Sequence, residues 1–200
     1  MNSRTESLSD FFRKKNGIVS YAEVLEAGFN KTNLKDLLDS GVVQKVDRAL
    51  YRLAEGKALS NPDLVTVTIK CPKAVVCLIS ALSFHEATDE IPHAVDLAIR
   101  RGDYANKIGY PPVRYYFFSA KTWEAGIEEH ILEGRKVRIY SLAKTLADCF
   151  KFRNKIGADV ARQALKIGLK EKRVSPNEIM RYAKICRVGN VIKPVLESLL

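Results

Sequence analysis

Residues 17–53 read GIVSYAEVLEAGFNKTNLKDLLDSGVVQKVDRALYRL, and they carry the clearest local pattern in the chain. Ser20 and Glu23 have the spacing of a capping box, in which the two residues satisfy free backbone N–H groups at a helix start. Gly28 closes this short helix, and a second helix follows with leucines at helical spacing from Leu34. Two short helices joined by a few residues that include glycine predict a helix-turn-helix.

The segments on either side of these two helices extend the prediction. Upstream, apolar residues at helical spacing predict a first helix between Ser3 and Lys15. Downstream, two β-favouring runs around a short loop at 47–49 predict a hairpin. Helix, helix-turn-helix and hairpin follow each other in the order of a winged helix. We therefore predict a winged helix-turn-helix DNA-binding domain over residues 1–57.

Residues 58–200 are predicted to form a second, larger domain. Pro62 stands in a helix-start signal, but residues 65–70 alternate apolar and polar side chains as a strand does, so the local pattern leaves this segment open. A clearer apolar helix is predicted from Lys73 to about Phe84.

The remainder of the chain mixes strand and helix signals. Four β-favouring runs separated by glycine or proline predict a small sheet with one hairpin: His93–Arg100, Val113–Ser119, His130–Leu132 and Lys136–Tyr140. From Ser141 onwards, apolar stripes at helical spacing predict helices. The predicted fold class is α+β, with an N-terminal winged helix-turn-helix followed by a mixed α/β domain that has a small sheet and a C-terminal helical bundle.

The net charge of +10 is unevenly distributed along the chain. Residues 1–55 carry nine basic and eight acidic side chains, residues 56–134 carry eight and ten, and residues 135–200 carry sixteen and five. The last third therefore holds all of the excess. A positive field of this kind favours a polyanionic partner, because each neutralised phosphate releases counterions, although solubility alone explains part of it.

Seven polar side chains of the predicted DNA-binding domain are candidate contacts to bases or phosphates. They are Lys31, Thr32, Asn33 and Lys35, expected on the outer face of the second helix of the motif, and Lys45, Arg48 and Arg52 on the hairpin. Asp36, Asp39 and Asp47 lie near the same contact. We therefore expect residues 1–55 alone to bind nonspecific DNA weakly.

Two basic stripes are predicted on the outer faces of the C-terminal helices. They consist of Lys144, Lys151 and Lys155, and of Arg162, Lys166, Lys170 and Arg173. We hypothesise that they supplement DNA affinity. A surface for RNA, a surface for an acidic partner and a simple soluble exterior remain alternatives.

Metal binding and catalysis have little support in the sequence. The four cysteines lack a C-x-x-C pair and are interpreted as small buried hydrophobes, and the three histidines do not form H-E-x-x-H, so no metal or cofactor is expected. An enzymatic alternative would use the segment His85–His93, in which His85, Glu86, Asp89, Glu90 and His93 cluster. Their spacing has no recognised catalytic form, so we do not expect an enzyme.

Four strings of this sequence resemble the AbiEi antitoxins of type IV toxin–antitoxin and abortive-infection systems. The first is residues 17–53, quoted above. The others are ISALSFHEATDEIPHAV from Ile79, YPPVRYYFFS from Tyr110 and YSLAKTLADCFKFRNKIGADVARQAL from Tyr140, of which the last is the most specific. The resemblance runs from about Gly17 to about Val188.

The resemblance implies a bacterial transcriptional autorepressor, active in phage defence, whose N-terminal domain binds operator DNA upstream of its own operon. The C-terminal antitoxin domain, residues 58–200, would counteract a nucleotidyltransferase toxin without a stable complex. The resemblance also implies that the segment after Pro62 is a helix. The chain itself lacks the Gly-Ser and D-x-D motifs that such a toxin needs for its metal ions. No membrane span or signal peptide is expected, and we predict a cytoplasmic protein.

Overall fold

A computed structural model describes residues 3–55, 60–171 and 174–200. These residues form eleven helices and two sheets, one of three strands and one of five, in a mixed α/β arrangement of the α+β class. The predicted boundary between residues 57 and 58 lies outside the described residues. No helix within the described part is both long and apolar enough to cross a lipid bilayer.

The first six elements lie between residues 3 and 53. They are α1 (Ser3–Lys14), β1 (Ile18–Ser20), α2 (Tyr21–Glu26), α3 (Lys31–Asp39), β2 (Val43–Asp47) and β3 (Leu50–Leu53). Strand β3 is central and pairs antiparallel with both β1 and β2. Leu8 and Phe12 of α1 pack with Leu34 and Leu37 of α3 in one buried cluster. This cluster holds α3 against the first helix and leaves its opposite side exposed.

The next eight elements form the larger sheet and the helices beside it. They are α4 (Pro62–Lys70), β4 (Val75–Val76), α5 (Leu78–Phe84), β5 (Val95–Arg100), β6 (Val113–Phe118), α6 (Ala120–Glu124), β7 (Ile127–Leu132) and β8 (Arg135–Tyr140). The strand order is β6-β5-β4-β8-β7. The outer pair β5–β6 and the inner pair β4–β8 are parallel, whereas β4–β5 and the β7–β8 hairpin are antiparallel.

Five helices complete the chain and pack on one another and on the sheet. They are α7 (Leu142–Lys151), α8 (Arg153–Ile156), α9 (Ala158–Lys170), α10 (Pro176–Cys186) and α11 (Gly189–Glu197). Helix α7 is central, because every residue from Leu142 to Phe150 is buried. The largest apolar cluster joins α7, α9, α10 and α11 to α5 and to strands β6 and β8. The four cysteines are free and buried, as predicted.

The segment after Pro62, which the sequence pattern left open between helix and strand, forms helix α4. Val65 packs against Ile18 and Leu50 of the N-terminal segment, whereas Leu64 and Val67 pack against the larger sheet. Because the helix is buried on two sides, its apolar residues do not follow a single helical stripe. The alternation that suggested a strand results from this double burial.

The helix predicted from Lys73 is wrong in its first part. Val75 and Val76 form the short strand β4, and the helix begins only at Leu78. Strand β4 is the central strand of the larger sheet, pairing with β5 on one side and β8 on the other. The two valines are buried on both faces, which explains an apolar run without alternation.

Candidate nucleic-acid interface

Helix α3 presents a basic and polar surface along its exposed side. Lys31, Thr32 and Lys35 are exposed, while Leu34 and Leu37 lie in the core beneath them. The helix starts at Asn30, whose side-chain oxygen accepts a hydrogen bond from the backbone N–H of Asn33. The remaining backbone N–H groups of the first turn are available to an anion.

Asn33 does not face outwards as predicted. It is 9% exposed, and its Oδ1 accepts a hydrogen bond from the Asn30 backbone N–H at 3.1 Å. The two asparagines form a reciprocal capping box in which Asn33 holds the third helical position. The side chain therefore stabilises the start of α3, and the exposed candidates on this helix are Lys31, Thr32 and Lys35.

Lys35 is already paired within its own helix. Its ammonium donates to Asp39 Oδ2 at 2.6 Å, and this hydrogen bond raises the pKa of Lys35. Both side chains are more than 60% exposed, at 69% and 62%. Because such exposed pairs are worth little, a phosphate can replace Asp39 as the partner at small cost.

The hairpin β2–β3 turns through two residues, Arg48 and Ala49. Ala49 has φ of +56°, in the left-handed region that tight hairpin turns use. The predicted contacts Lys45, Arg48 and Arg52 are all exposed. Lys31 and Lys35 of α3 line one groove of about 380 Å³ together with Ala49 of the hairpin turn. The helix and the hairpin therefore contribute to one continuous surface.

The negative charge of Asp47, at the base of the hairpin turn, is balanced by residues from the larger part of the chain. Its Oδ2 lies 3.2 Å from Lys70 Nζ at the end of α4 and accepts a hydrogen bond from the Gly109 backbone N–H at 3.3 Å. Burial alone would raise the pKa of Asp47, but hydrogen bonds from the Arg48 backbone and from Lys70 lower it. The carboxylate stays ionised and its charge is balanced locally, so it repels a phosphate less than its position in the sequence suggests.

A second polar contact joins the N-terminal segment to the β7–β8 hairpin. Arg135 donates from Nη1 to Glu23 Oε1 at 2.9 Å and from Nη2 to the carbonyl of Ile18 at 2.7 Å. Glu23 also serves as the capping residue of α2. The Asn16 side-chain amide donates to the Glu133 carbonyl at 2.8 Å. These bonds fix the orientation of α2 and α3 relative to the larger sheet.

One predicted basic stripe is incorrect at Lys144. This side chain is fully buried, and its ammonium lies 2.5 Å from Asp148 Oδ2 in the centre of α7. Lys151 is half-buried, with its ammonium 5.4 Å from the centre of the Phe118 ring, whereas Lys155 is exposed. Because α7 is surrounded on all sides, these lysines do not form one exposed row.

The second basic stripe is exposed over the part that the structure describes. Arg162, Lys166 and Lys170 lie on the outer side of α9, and Arg162 pairs with the exposed Asp159 at 2.9 Å. Arg173 lies outside the described residues. This surface remains available to a polyanion.

The residues of the enzymatic alternative do not converge on one cavity. His85 and Glu86 line a cavity beside α7 and α10, whereas His93 lines a different one beside α4. His85 Nε2 lies 2.8 Å from the Tyr140 carbonyl, and Asp89 accepts a hydrogen bond from Gln163. Among residues 3–55, 60–171 and 174–200, no three His, Cys, Asp or Glu side chains are grouped so as to hold a metal ion.

Comparison with known proteins defines the fold but not the activity. No protein-family model matches the chain, and no curated protein matches it. The chain is similar to the crystal structure of RV2827C protein from Mycobacterium tuberculosis, with a TM-score of 0.62 and 11% sequence identity over 98% of this chain and 82% of that one. At this identity the similarity shows a shared fold, and function must be argued from the site.

Proposed function

We propose that this protein binds double-stranded DNA in a sequence-specific manner through an N-terminal winged helix-turn-helix. In this proposal, α2 and α3 are the two helices of the motif, α3 enters the major groove, and the β2–β3 hairpin is the wing. One observation carries the proposal: Lys31 and Lys35 of α3 line a groove together with Ala49 of the hairpin turn, and Thr32 is exposed on the same helix.

The charge arrangement around this surface supports the same proposal. Asp47 would repel phosphates if it were free, but it is paired with Lys70, whereas Lys35 exchanges its exposed partner Asp39 for a phosphate. Lys45, Arg48 and Arg52 are exposed on the wing and form no ion pair with another residue that the structure describes, so they add positive charge there. A surface of this kind, with Lys31 and Lys35, attracts the phosphate backbone, while Thr32 reaches a base edge.

Replacing both Lys31 and Lys35 by alanine tests the proposal. Loss of two phosphate contacts is expected to weaken binding to the duplex upstream of the protein's own gene about 30-fold at 0.15 M salt and to reduce the salt slope by about 2. Fluorescence anisotropy titrations at several salt concentrations measure both quantities. The matched control is Lys121→Ala with Lys193→Ala, which removes two exposed lysines from α6 and α11. Equal affinities for the two double variants would disprove the proposed DNA surface.

We further propose that the protein is an AbiEi-like autorepressor and antitoxin that counteracts a nucleotidyltransferase. The resemblance of the four sequence strings supports this assignment, and so does the succession of helices, hairpin and mixed sheet along the chain. The partner would be encoded by a neighbouring reading frame with Gly-Ser and paired aspartates, and it would form no stable complex with this protein. Restored growth when both proteins are co-expressed would support the antitoxin role.

The exposed side of α9 offers a way to separate the two proposed activities. If its basic residues supplement DNA affinity, the triple variant Arg162→Ala, Lys166→Ala, Lys170→Ala will bind the upstream duplex more weakly and with a reduced salt slope. Unchanged affinity and slope would contradict that role. Loss of toxin neutralisation with intact DNA binding would assign this surface to a different target.

A further inference from the structure

The loop between β5 and β6 is hydrogen-bonded to the base of the hairpin turn. The Gly109 N–H donates to Asp47, and Lys70 donates to the backbone carbonyl of Arg48. The Asn106 amide in turn donates to the carbonyl of Lys70 at 2.6 Å. Through Lys70, the turn of the hairpin and the loop form one connected unit, although about 60 residues separate them in the sequence.

This contact is close because residue 109 is glycine. A Cβ atom at Gly109 would lie 2.8 Å from Asp47 Oδ1, which is shorter than such atoms allow. The loop is also bonded to the larger sheet, because the Tyr115 hydroxyl on β6 donates to the carbonyl of Asn106 at 2.5 Å. Hydrogen bonds to the hairpin and to β6 therefore both hold the loop in position.

Over residues 104–110 the loop exposes three side chains, Tyr104, Lys107 and Tyr110. Tyr104 is 81% exposed and Tyr110 is 51% exposed, the former among the largest exposures of any apolar or aromatic residue in the described chain. Lys107 lies between them, is exposed, and makes no ion pair with any residue of the described part. Asp103, the one acidic residue of the loop, is paired with Arg100 at 3.0 Å. A cation flanked by two exposed tyrosines, next to a basic hairpin, is suited to a nucleic-acid backbone.

We infer that the 104–110 loop is a second DNA-contacting element, which extends the surface of the hairpin. Lys107 contacts a backbone phosphate, and the hydroxyls of Tyr104 and Tyr110 donate hydrogen bonds to phosphate or sugar oxygens. Since Lys107 is two residues from Gly109, their Cα atoms are at most about 8 Å apart, so Lys107 belongs to the part of the loop that contacts the base of the hairpin turn. Duplex DNA carries a charge every ~1.7 Å of its axis, so a cation on the loop and a cation on the hairpin can each meet a phosphate. The inference rests on the proposed function.

The test compares Lys107→Ala with Arg48→Ala and Lys193→Ala in the full chain. The probes are a duplex with the sequence immediately upstream of the protein's own gene and a duplex of the same composition with a shuffled sequence. Lys107→Ala is expected to weaken binding to both duplexes about fivefold at 0.15 M salt and to lower the salt slope by about 0.9. Tyr104→Phe with Tyr110→Phe, which removes only the two hydroxyls, is expected to weaken binding without changing the slope. Thermal unfolding checks that these surface variants remain folded.

The outcomes distinguish the inference from the function on which it rests. If Arg48→Ala weakens binding while Lys107→Ala behaves like Lys193→Ala, the loop does not contact DNA and the inference is overturned, but the winged-helix proposal stands. If neither Arg48→Ala nor the Lys31→Ala and Lys35→Ala double variant weakens binding, the proposed function fails and the inference fails with it.

Discussion

Replacing Lys144 by methionine is expected to lower the free energy of unfolding by about 3–5 kcal/mol, because it leaves the Asp148 carboxylate buried without its partner. Both side chains are fully buried, and the ammonium and carboxylate are 2.5 Å apart. Methionine fills a similar volume, so packing changes little. The measurement is chemical denaturation at pH 7 followed by circular dichroism.

The surroundings of this pair explain why the charge cannot be solvated instead. The ammonium of Lys144 lies 4.0 Å from the centre of the Tyr140 ring, and the Cys186 thiol donates to the other oxygen of Asp148 at 3.2 Å. Above the lysine stem, Gly126 has φ of +73°, and a Cβ there would lie 2.7 Å from Lys144 Cβ. Since both side chains are completely shielded from solvent, bulk water does not reach the carboxylate to replace the lost ammonium.

The stability of the Lys144→Met variant is expected to depend on pH in a characteristic way. Burial raises the pKa of Asp148 above its ordinary value of 3.8, even though Lys144 acts in the opposite direction. Without Lys144 the pKa rises further, so the folded state holds a proton that the unfolded state releases. Stability of the variant will therefore fall as the pH rises from about 4 towards the raised pKa. At pH 4 the variant will be closest to the wild-type protein.

A double substitution provides the control. Lys144→Met combined with Asp148→Leu removes both charges and keeps an apolar core, and buried ion pairs replaced in this way commonly lose little or no stability. We expect the double variant to be more stable than the single one and to lack its pH dependence. A single variant as stable as the wild type at pH 7 would show that Asp148 is not ionised in the folded protein.

Local signals in the sequence predicted the three helices and the β2–β3 hairpin of the first 53 residues, but not strand β1, which pairs with β3. Each helix there begins or ends at a residue with a defined backbone role, such as Ser20 at the start of α2, and the hairpin closes through two residues. These features depend on neighbours within four positions, which the sequence displays directly. Asn33 was misassigned because the third position of a capping box is normally Glu or Gln, so its reciprocal bond with Asn30 was not anticipated.

Burial by distant parts of the chain was not predictable in the same way. The helical pattern of α7 predicted one apolar side and one basic side, but the helix is surrounded on all sides and Lys144 lies inside. One signal was present, since Asp148 stands four residues after Lys144, at the spacing of an ion pair within a helix. Strand β4 gave no periodicity, because it has two residues that are buried on both faces of the sheet, and its partners β5 and β8 come later in the chain.

Contacts between the N-terminal segment and the larger sheet are the least predictable feature of the candidate site. Glu23 and Arg135 are 112 positions apart, and Asp47 and Gly109 are 62 apart. In a single sequence each of these residues has an adequate local explanation, as a cap, a turn or a surface charge. Only the folded chain shows that they set the position of the hairpin and of α3.

Replacing Arg135 by alanine is expected to lower the free energy of unfolding by about 2–3 kcal/mol, because three hydrogen bonds to Glu23 and the Ile18 carbonyl are lost in a mostly buried setting. The exposed fractions of the two side chains are 16% and 20%. The lost hydrogen bonds are the ones that join the N-terminal segment to the β7–β8 hairpin. Hydrogen exchange is therefore expected to accelerate more in residues 18–26 than in α7.

The neighbouring Lys136 supplies a matched control in the same strand. Lys136 pairs with Glu129 at 3.1 Å, but the two side chains are 71% and 57% exposed. Lys136→Ala is expected to change stability by less than about 0.5 kcal/mol, since exposed pairs contribute little. If Arg135→Ala has no larger effect than Lys136→Ala, the contact does not hold the two parts of the chain together.

Measuring the free energy of unfolding at acid pH tests whether the effect of Arg135 depends on the Glu23 carboxylate. Burial would raise the pKa of Glu23, but hydrogen bonds from Arg135 and from the Ser20 backbone lower it below its ordinary value of 4.5. The unfolded state therefore binds the proton first, so the stabilisation is complete above pH 4.5 and is lost as the pH falls through the lowered pKa. Arg135→Ala removes much of this effect, and its difference in stability from the wild type will be largest at neutral pH and will shrink in acid. A difference that stays constant from pH 7 to the acid range would assign the loss to packing rather than to the ion pair.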